Sequence, residues 1–192
     1  VNVMTSGEAA MHAINQNKFG KNFFHLGPPR DSSIFEKIKD NKTIIDHCEF
    51  ILCTGLFDGK EEDMNYYKNF LSKHISKKLV CTNPDLTVHR GDKEEYCAGY
   101  IAKIFEELGG KVIYYGKPYR EIYELCFKEN EKVLAIGDNL RTDIKGANNL
   151  NKDCLFISNG VHRDECNNNL DLKILFDKYK VKANYFQKEL RW

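Results

Sequence analysis

The sequence lacks the features typical of membrane proteins and of nucleic-acid-binding proteins. No apolar run approaches the roughly 20 residues of a membrane-spanning helix. The formal net charge is only +1, so the chain has no general excess of positive charge that would attract nucleic acid or an anionic membrane surface. We therefore predict that the protein binds neither a membrane nor nucleic acid.

Nucleotide-binding loops are missing as well. The chain contains no Gly-x-Gly-x-x-Gly and no Gly-Lys-Ser or Gly-Lys-Thr, the glycine-rich patterns that wrap around phosphates. In Gly116-Lys117-Pro118, proline occupies the position where such a loop needs a hydroxyl group. These absences argue against a dinucleotide-binding module and against a P-loop enzyme.

Paired cysteines are absent, although the chain has seven residues of this type. No Cys-x-x-Cys occurs, and the odd number does not suit a complete set of disulfides. His47-Cys48 and Cys53 lack a second pair of ligands at a spacing that would bind zinc. We therefore predict buried free thiols and a reducing, cytoplasmic location.

The residues that are present favour an α/β protein. Hydrophobic residues make up 42% and charged residues 30%, a balance typical of globular domains. Strand-like apolar runs alternate with amphipathic segments, which predicts a parallel sheet with helices between its strands. The predicted helices include residues 60–78, residues 93–108 after a capping Asp92, and residues 119–128, whereas residues 183–190 have no clear pattern.

Residues 133–143 contain the strongest candidates for a functional site. The apolar run Val133–Ile136 predicts a buried parallel strand and places Asp138 just past its carboxyl end, where α/β proteins bind ligands. Asp143 follows near the start of a predicted helix, so both carboxylates can point at one Mg²⁺. Lys117 can hold a phosphate oxygen. Taken alone, the pattern also fits an ordinary turn followed by a helix start.

The order of these features carries more information than any one of them. Gly-Lys-Pro, a helix, a strand and then Gly-Asp-x-x-x-x-Asp-Ile resemble the haloacid dehalogenase (HAD) superfamily of phosphatases. Within it, the chain is similar to the NagD-like class with a large α/β cap, and to one bacterial subgroup of that class. The segments that carry the resemblance are residues 5–10, 24–28, 52–58, 83–85, 155–157 and 190–192.

The resemblance implies a Mg²⁺-dependent hydrolase of small phosphate esters that works through an aspartyl-phosphate intermediate. Lys117 matches the family's third motif, and Asp138, the implied metal ligand, matches the fourth together with Asp143. Asn83 and Asp85 match a cap loop that contacts the leaving group, although Asn-Pro-Asp also predicts a simple turn. The implied domains are a core-to-cap linker and helix (1–21), an α/β cap (22–112) and the C-terminal half of a Rossmann-like core (113–192).

The family's nucleophile is missing. No aspartate is followed two positions later by a second one, so the Asp-x-Asp motif is absent, and the second motif, a phosphate-binding Thr or Ser, has no clear match. Thr5 and Ser6 resemble a later segment that leads to the cap, and they stay an alternative phosphate contact. The chain opens at Val1 directly in a strand-like run, which suits a fragment, a shortened reading frame or numbering from an internal start. Because the nucleophile is missing from these residues, we expect the chain to be inactive alone.

A non-enzymatic interpretation follows from the same absence. Without the first strands of the core, the central strand would expose an edge, which invites pairing with another strand. The chain would then be a non-catalytic remnant or an interaction module, with another copy of itself or a complementing N-terminal segment as partner. His89 and Arg90 are placed to reach an anionic substrate, and His162 to lie near the carboxyl ends of the strands, but we favour solvated loop side chains without a chemical role for all three.

Overall fold

The computed structural model describes residues 3–90, 93–167 and 171–191. It divides into two compact units, which we call the first unit (Val1–Gly116) and the second unit (Lys117–Trp192). Both units contain a parallel sheet, which confirms the predicted α/β class. The finer division into linker, cap and half-core stays a prediction.

Short strands and helices alternate along the described residues. The strands are β1 (Phe23–Leu26), β2 (Phe50–Cys53), β3 (Lys78–Cys81), β4 (Thr87–Arg90), β5 (Lys93–Tyr96), β6 (Lys111–Tyr114), β7 (Leu134–Gly137), β8 (Asp153–Ile157) and β9 (Tyr185–Gln187). The helices are α1 (Ser6–Asn15), α2 (Met64–Ser72), α3 (Ala98–Glu107), α4 (Arg120–Tyr123), α5 (Lys145–Asn149), α6 (Arg163–Asn167) and α7 (Leu172–Tyr179). Among the described helices, none has the length and apolar character needed to cross a membrane.

In the first unit, β1, β2, β3 and β6 form a parallel sheet in that order. Leu26, Cys53, Cys81 and Tyr114 are paired in register, so the carboxyl ends of the four strands lie side by side. All four residues of β2 are buried, which is typical of a parallel strand covered on both faces. The loops that leave these carboxyl ends carry Asn83 and Asp85.

α1 begins with a capping box. Thr5 is the N-cap: its hydroxyl accepts the Glu8 N–H at 3.1 Å, and the Glu8 carboxylate accepts the Thr5 N–H at 2.8 Å. This reciprocal pair satisfies two backbone donors that the first helical turn leaves open. Ser6 is therefore the first residue of the helix.

In the first unit, two of the predicted helices are wrong in extent. α2 begins after Asp63, whose carboxylate accepts the Tyr66 N–H at 2.9 Å, and it ends at Ser72 because the chain must turn to enter β3. The segment predicted as the start of the helix over 93–108 is instead β5, which pairs antiparallel with β4. Pairing with the neighbouring strand β4 outweighs the local helical pattern there. The predicted cap Asp92 and the side chains of His89 and Arg90 lie outside the described residues.

In the second unit, β7, β8 and β9 form a parallel sheet in that order. β9 lies in residues 183–190, where the sequence showed no pattern, and it is held by its pairing with β8. The helix predicted over 119–128 is reduced to the single turn α4. The buried core of this unit consists of Leu140, Ile144, Ala147, Cys154, Phe156, Leu175 and Val181.

The prediction of a buried strand over 133–136 is wrong for one face of β7. Leu134 is 47% exposed and Ile136 is 38% exposed, and in the described residues β8 is the only strand that pairs with β7. Ala135, on the alternate face, packs against the core of the second unit. β7 is therefore an edge strand with an apolar face toward solvent.

Candidate functional site

The loop that leaves β7 brings Asp138 and Asp143 to the same end of the strand. Asn139 caps the following π-helical turn, since its side-chain oxygen accepts the Arg141 N–H at 2.9 Å. The Asp143 N–H then bonds to the Asn139 carbonyl oxygen at 2.9 Å, which turns the chain back toward the strand. Single π-helical turns are frequent at functional sites.

Asp143 is held against the end of β7 by contacts to both of its oxygens. Lys117 Nζ lies 2.5 Å from Asp143 Oδ1, and the Asn139 N–H donates to Oδ2 at 3.1 Å. Gly137 is needed here, because a Cβ atom at that position would collide with the Asp143 side chain. The carboxylate is 10% exposed, whereas Lys117 is 52% exposed and open to an incoming anion.

Asp138 is oriented by the loop that follows β8. Its Oδ2 accepts the Val161 N–H at 2.9 Å, and a Cβ atom on Gly160 would collide with the same carboxylate. The structure thus brings Lys117 to Asp143 and places Asp143 beside the loop of Asp138, but no ion pair joins Lys117 to Asp138 in the described residues. Val161 was missed by sequence reasoning, since a backbone amide carries no signature of residue type.

His162, which the sequence interpretation left without a role, is buried directly behind this loop. Only 2% of the residue is exposed, and Nδ1 lies 2.6 Å from Glu165 Oε2. Burial alone would raise the pKa of the Glu165 carboxyl, but hydrogen bonds from Lys178, His162 and Tyr179 outweigh it and lower the pKa to about 2. Glu165 is therefore ionised at neutral pH.

The residues near Asp138 fit one part of a Mg²⁺ site. Both carboxylate oxygens of Asp143 accept hydrogen bonds from this chain, whereas Asp138 Oδ1 has no hydrogen-bond partner in the described residues. The described residues contain no group of three or more His, Cys, Asp or Glu side chains placed to hold a metal. Mg²⁺ usually takes one or two carboxylates together with phosphate and water, so Asp138 fits as one ligand and the rest must come from elsewhere.

A second candidate site is a cleft of about 590 Å³ in the first unit, at the carboxyl ends of β2 and β3. Thr82 is buried and donates its hydroxyl to the Cys53 carbonyl oxygen at 3.2 Å. The Asn83 side chain accepts the Asp85 N–H at 3.1 Å, so the predicted turn is confirmed. The lining residues are Thr5, Ser6, Gly7, Glu8, Met11, Asp31, Ile34, Thr54, Thr82, Asn83 and Asp85.

The described lining of this cleft carries carboxylates and hydroxyl groups but neither lysine nor arginine. His25, beneath it, bonds through Nε2 to Thr54 Oγ1 at 2.9 Å. Burial first, and then the positive charge of Lys42, lower the pKa of His25 to about 4, so this ring adds no positive charge at neutral pH. Thr5 and Ser6 line the cleft, and the Thr5 hydroxyl is already used in the cap of α1.

Comparisons with known proteins point to one family. A HAD-hydrolase-like family model matches residues 114–175, which include Lys117, Asp138 and Asp143. A structure from Brucella suis 1330, described as a hydrolase of the haloacid dehalogenase-like family, is 34% identical with a TM-score of 0.74. The match covers 83% of this chain and 65% of that protein. In sequence and in fold, this chain is similar to the haloacid dehalogenase superfamily.

Other solved structures share the fold at lower identity. A 4-nitrophenylphosphatase from Thermotoga maritima is 23% identical with a TM-score of 0.68, over 97% of this chain and 69% of that one. A p-nitrophenyl phosphatase from Archaeoglobus fulgidus is 16% identical with a TM-score of 0.68, over 95% of this chain and 70% of that one. These two matches show the shared fold, and the NagD-like class and the bacterial subgroup stay predictions.

The chain is shorter than its HAD relatives. It spans 65% of the length of the Brucella suis protein, just under two thirds. No curated protein matches the sequence. The activity, substrates and partners of a whole HAD protein therefore apply to this chain only as proposals.

Proposed function

We propose that the second unit supplies the phosphate-binding lysine and a metal-binding carboxylate of a Mg²⁺-dependent, phosphatase-like HAD hydrolase of small phosphate esters. The observation that carries this proposal is the 2.5 Å contact between Lys117 Nζ and Asp143 Oδ1, beside the loop of Asp138 at the carboxyl end of β7. Ligands of parallel α/β sheets bind at this end. The nitrophenylphosphatase structures that share the fold support the same reaction class.

Each residue has one task in the proposed reaction. The Lys117 ammonium group neutralises charge on the phosphoryl oxygens, and Asp143 fixes that group in place. Asp138 presents Oδ1 to the metal while its other oxygen is held by Val161. When bound, Mg²⁺ would supply Lewis-acid stabilisation of the phosphoryl oxygens. An aspartate from outside these residues would be the nucleophile, so this chain alone should not turn over phosphate esters.

Binding measurements on the chain test these roles. We expect amide NMR shifts at Asn139 on titration with Mg²⁺, and a loss of affinity of about tenfold or more in Asp138→Asn, because one ligand is removed. Lys117→Met should weaken binding of inorganic phosphate in the presence of Mg²⁺. Asp164→Asn, which changes a carboxylate that is 90% exposed, and Lys173→Met are matched controls.

The contrary results are equally specific. Mg²⁺ affinity of Asp138→Asn equal to that of the original chain would remove Asp138 from the metal site. Phosphate affinity unchanged in Lys117→Met would remove Lys117. Mg²⁺-dependent hydrolysis of p-nitrophenyl phosphate by the chain alone would contradict the need for an external nucleophile.

We also propose a substrate-binding role for the cleft in the first unit, taken by itself. Asn83 and Asp85 lie in its wall, together with Asp31, in a lining whose described side chains include no cation. Carboxylates and hydroxyls favour groups that donate hydrogen bonds and disfavour anions. We therefore expect glucosamine to shift the amide resonances of Thr54 and Thr82 more than gluconate does. Stronger binding of gluconate would contradict this assignment.

A second candidate function is an interaction module, favoured by the exposed β7 edge. Leu134 and Ile136 present an apolar face beside unpaired backbone groups, which is the arrangement that accepts an added strand. We expect self-association, or binding of a complementing N-terminal segment, that Ile136→Lys weakens. Ile174→Lys is the control, since Ile174 is 58% exposed on α7. A monomer by light scattering at all concentrations would contradict self-association.

A cytoplasmic location is also part of the proposal. Cys48, Cys53, Cys81 and Cys154 are buried free thiols, and burial raises the pKa of each. Buried, protonated thiols are inert and suit a reducing compartment. Disulfides found by mass spectrometry in protein isolated without reductant would contradict it.

A further inference from the structure

The loop after β8 has one end fixed by the sheet and a backbone contact to Asp138 in its middle. The Ser158 N–H bonds to the Gln187 carbonyl oxygen of β9 at 2.9 Å. Val161 then donates its N–H to Asp138 Oδ2 at 2.9 Å, with Gly160 in close approach. The direction of the Asp138 carboxylate therefore depends on where the far end of this loop is held.

The far end is held by His162. The ring packs against Tyr179 with a centroid separation of 4.7 Å, and Nδ1 lies 2.6 Å from Glu165. Because an ionised carboxylate only accepts hydrogen bonds, Nδ1 must carry the proton. Nε2 has no hydrogen-bond partner in the described residues, so among them the bond to Glu165 is the only hydrogen bond of this side chain.

Glu165 is itself fixed from α7. Lys178 Nζ lies 2.5 Å from Glu165 Oε1, and the Tyr179 hydroxyl donates to Oε2 at 2.9 Å. The carboxyl's lowered pKa keeps it ionised, which makes the bond to His162 charge-assisted and stronger than a neutral one. α7, Glu165 and His162 thus form a continuous chain of contacts that ends one residue from the Val161 amide.

We propose that His162 is a positioning residue for Asp138. Through its bond to Glu165 it fixes the loop after β8, keeps the Val161 N–H against Asp138 Oδ2 and leaves Oδ1 available to a metal. The metal part of this inference rests on the proposed function, whereas the effect on the Val161 hydrogen bond does not. In metal sites generally, residues that do not touch the metal orient the side chains that do, and His162 would act in the same way on Asp138.

The test uses the full chain and two readouts. The first is hydrogen exchange of the Val161 amide, and the second is the Kd for Mg²⁺ from amide NMR shifts. His162→Leu removes the donor but keeps an apolar filling, so we expect about tenfold faster exchange and about tenfold weaker Mg²⁺ binding. His162→Asn, which restores a donor near the Nδ1 position, should recover much of both. His47→Leu, at an exposed histidine of the first unit, is the control.

Glu165→Gln is the second variant, because it perturbs the anchor without removing a buried ring. We expect exchange at Val161 to quicken by about threefold, since a neutral partner weakens the bond to His162. Unchanged Val161 exchange in a folded His162→Leu, or in Glu165→Gln if the leucine variant does not fold, would overturn the proposal. Absence of Mg²⁺ binding by the original chain would refute the proposed metal site instead, and Val161 exchange would still decide the role of His162.

Discussion

Replacement of Glu165 by glutamine should destabilise the second unit in a pH-dependent way. The ordinary pKa of a glutamate is 4.5, and the hydrogen bonds from Lys178, His162 and Tyr179 lower that of Glu165 to about 2. At 1.36 kcal/mol per pKa unit, this difference corresponds to about 3.4 kcal/mol at most. The side chain is 31% exposed and solvent screens part of the interaction, so we expect about 2 kcal/mol at pH 7.

The sign of the pH dependence follows from the lowered pKa. The folded state binds the proton less tightly than the unfolded state, so the stabilisation is complete above the unfolded pKa and is lost as pH falls toward the folded pKa. The difference in free energy of unfolding between the original chain and Glu165→Gln should therefore shrink between about pH 5 and pH 2. Tyr179 and Lys178 stay protonated over this range.

Urea unfolding followed through the Val181 methyl resonances, at several pH values, measures this difference within the second unit. Val181 belongs to the buried core of that unit. Glu129→Gln gives the same change in net charge at a side chain that is 89% exposed, and it should have little effect. A Glu165→Gln difference that stays constant from pH 7 to pH 3, or is no larger than that of Glu129→Gln, would refute the reasoning.

Three smaller predictions concern single contacts. Thr5→Ala should cost about 1 kcal/mol in the free energy of unfolding of the first unit through loss of the capping box, and Ser6→Ala much less, as urea titrations would show. Gly137→Ala should destabilise the second unit by about 1–3 kcal/mol, because the new Cβ would collide with Asp143; unchanged urea stability would contradict this. The His25 ring should stay neutral from pH 8 to about pH 5 by NMR. As the pH is lowered from about 6.5 to about 4, the free energy of unfolding of the first unit should decrease, since only the unfolded state takes up the proton there. A His25 titration midpoint near 6.5 would contradict it.

Local patterns were enough to predict the strand that carries the site. β7 lies within a residue of its predicted position, because a short apolar run that ends at glycine is a local signal. The contact between Lys117 and Asp143 agrees with the spacing of the two motifs. The role of each as phosphate or metal partner stays a prediction.

Local patterns failed where pairing between strands or packing between elements provides the stabilisation. β5 has a helix-like sequence but pairs with its neighbour β4. β9 has little pattern of its own and pairs with the distant β8. The ring of His162 packs against Tyr179 on α7, a contact that the sequence around His162 does not predict.

The amino-acid sequence by itself determined the family resemblance, the α/β class and the identity of the charged groups at the end of β7, because each depends on residue type and short spacing. The tertiary structure decided which oxygen of Asp138 is occupied and by what. That contact is made by the backbone amide of Val161. Every residue except proline has a backbone N–H group, so only the folding of β8 and α7 around the loop could select this one.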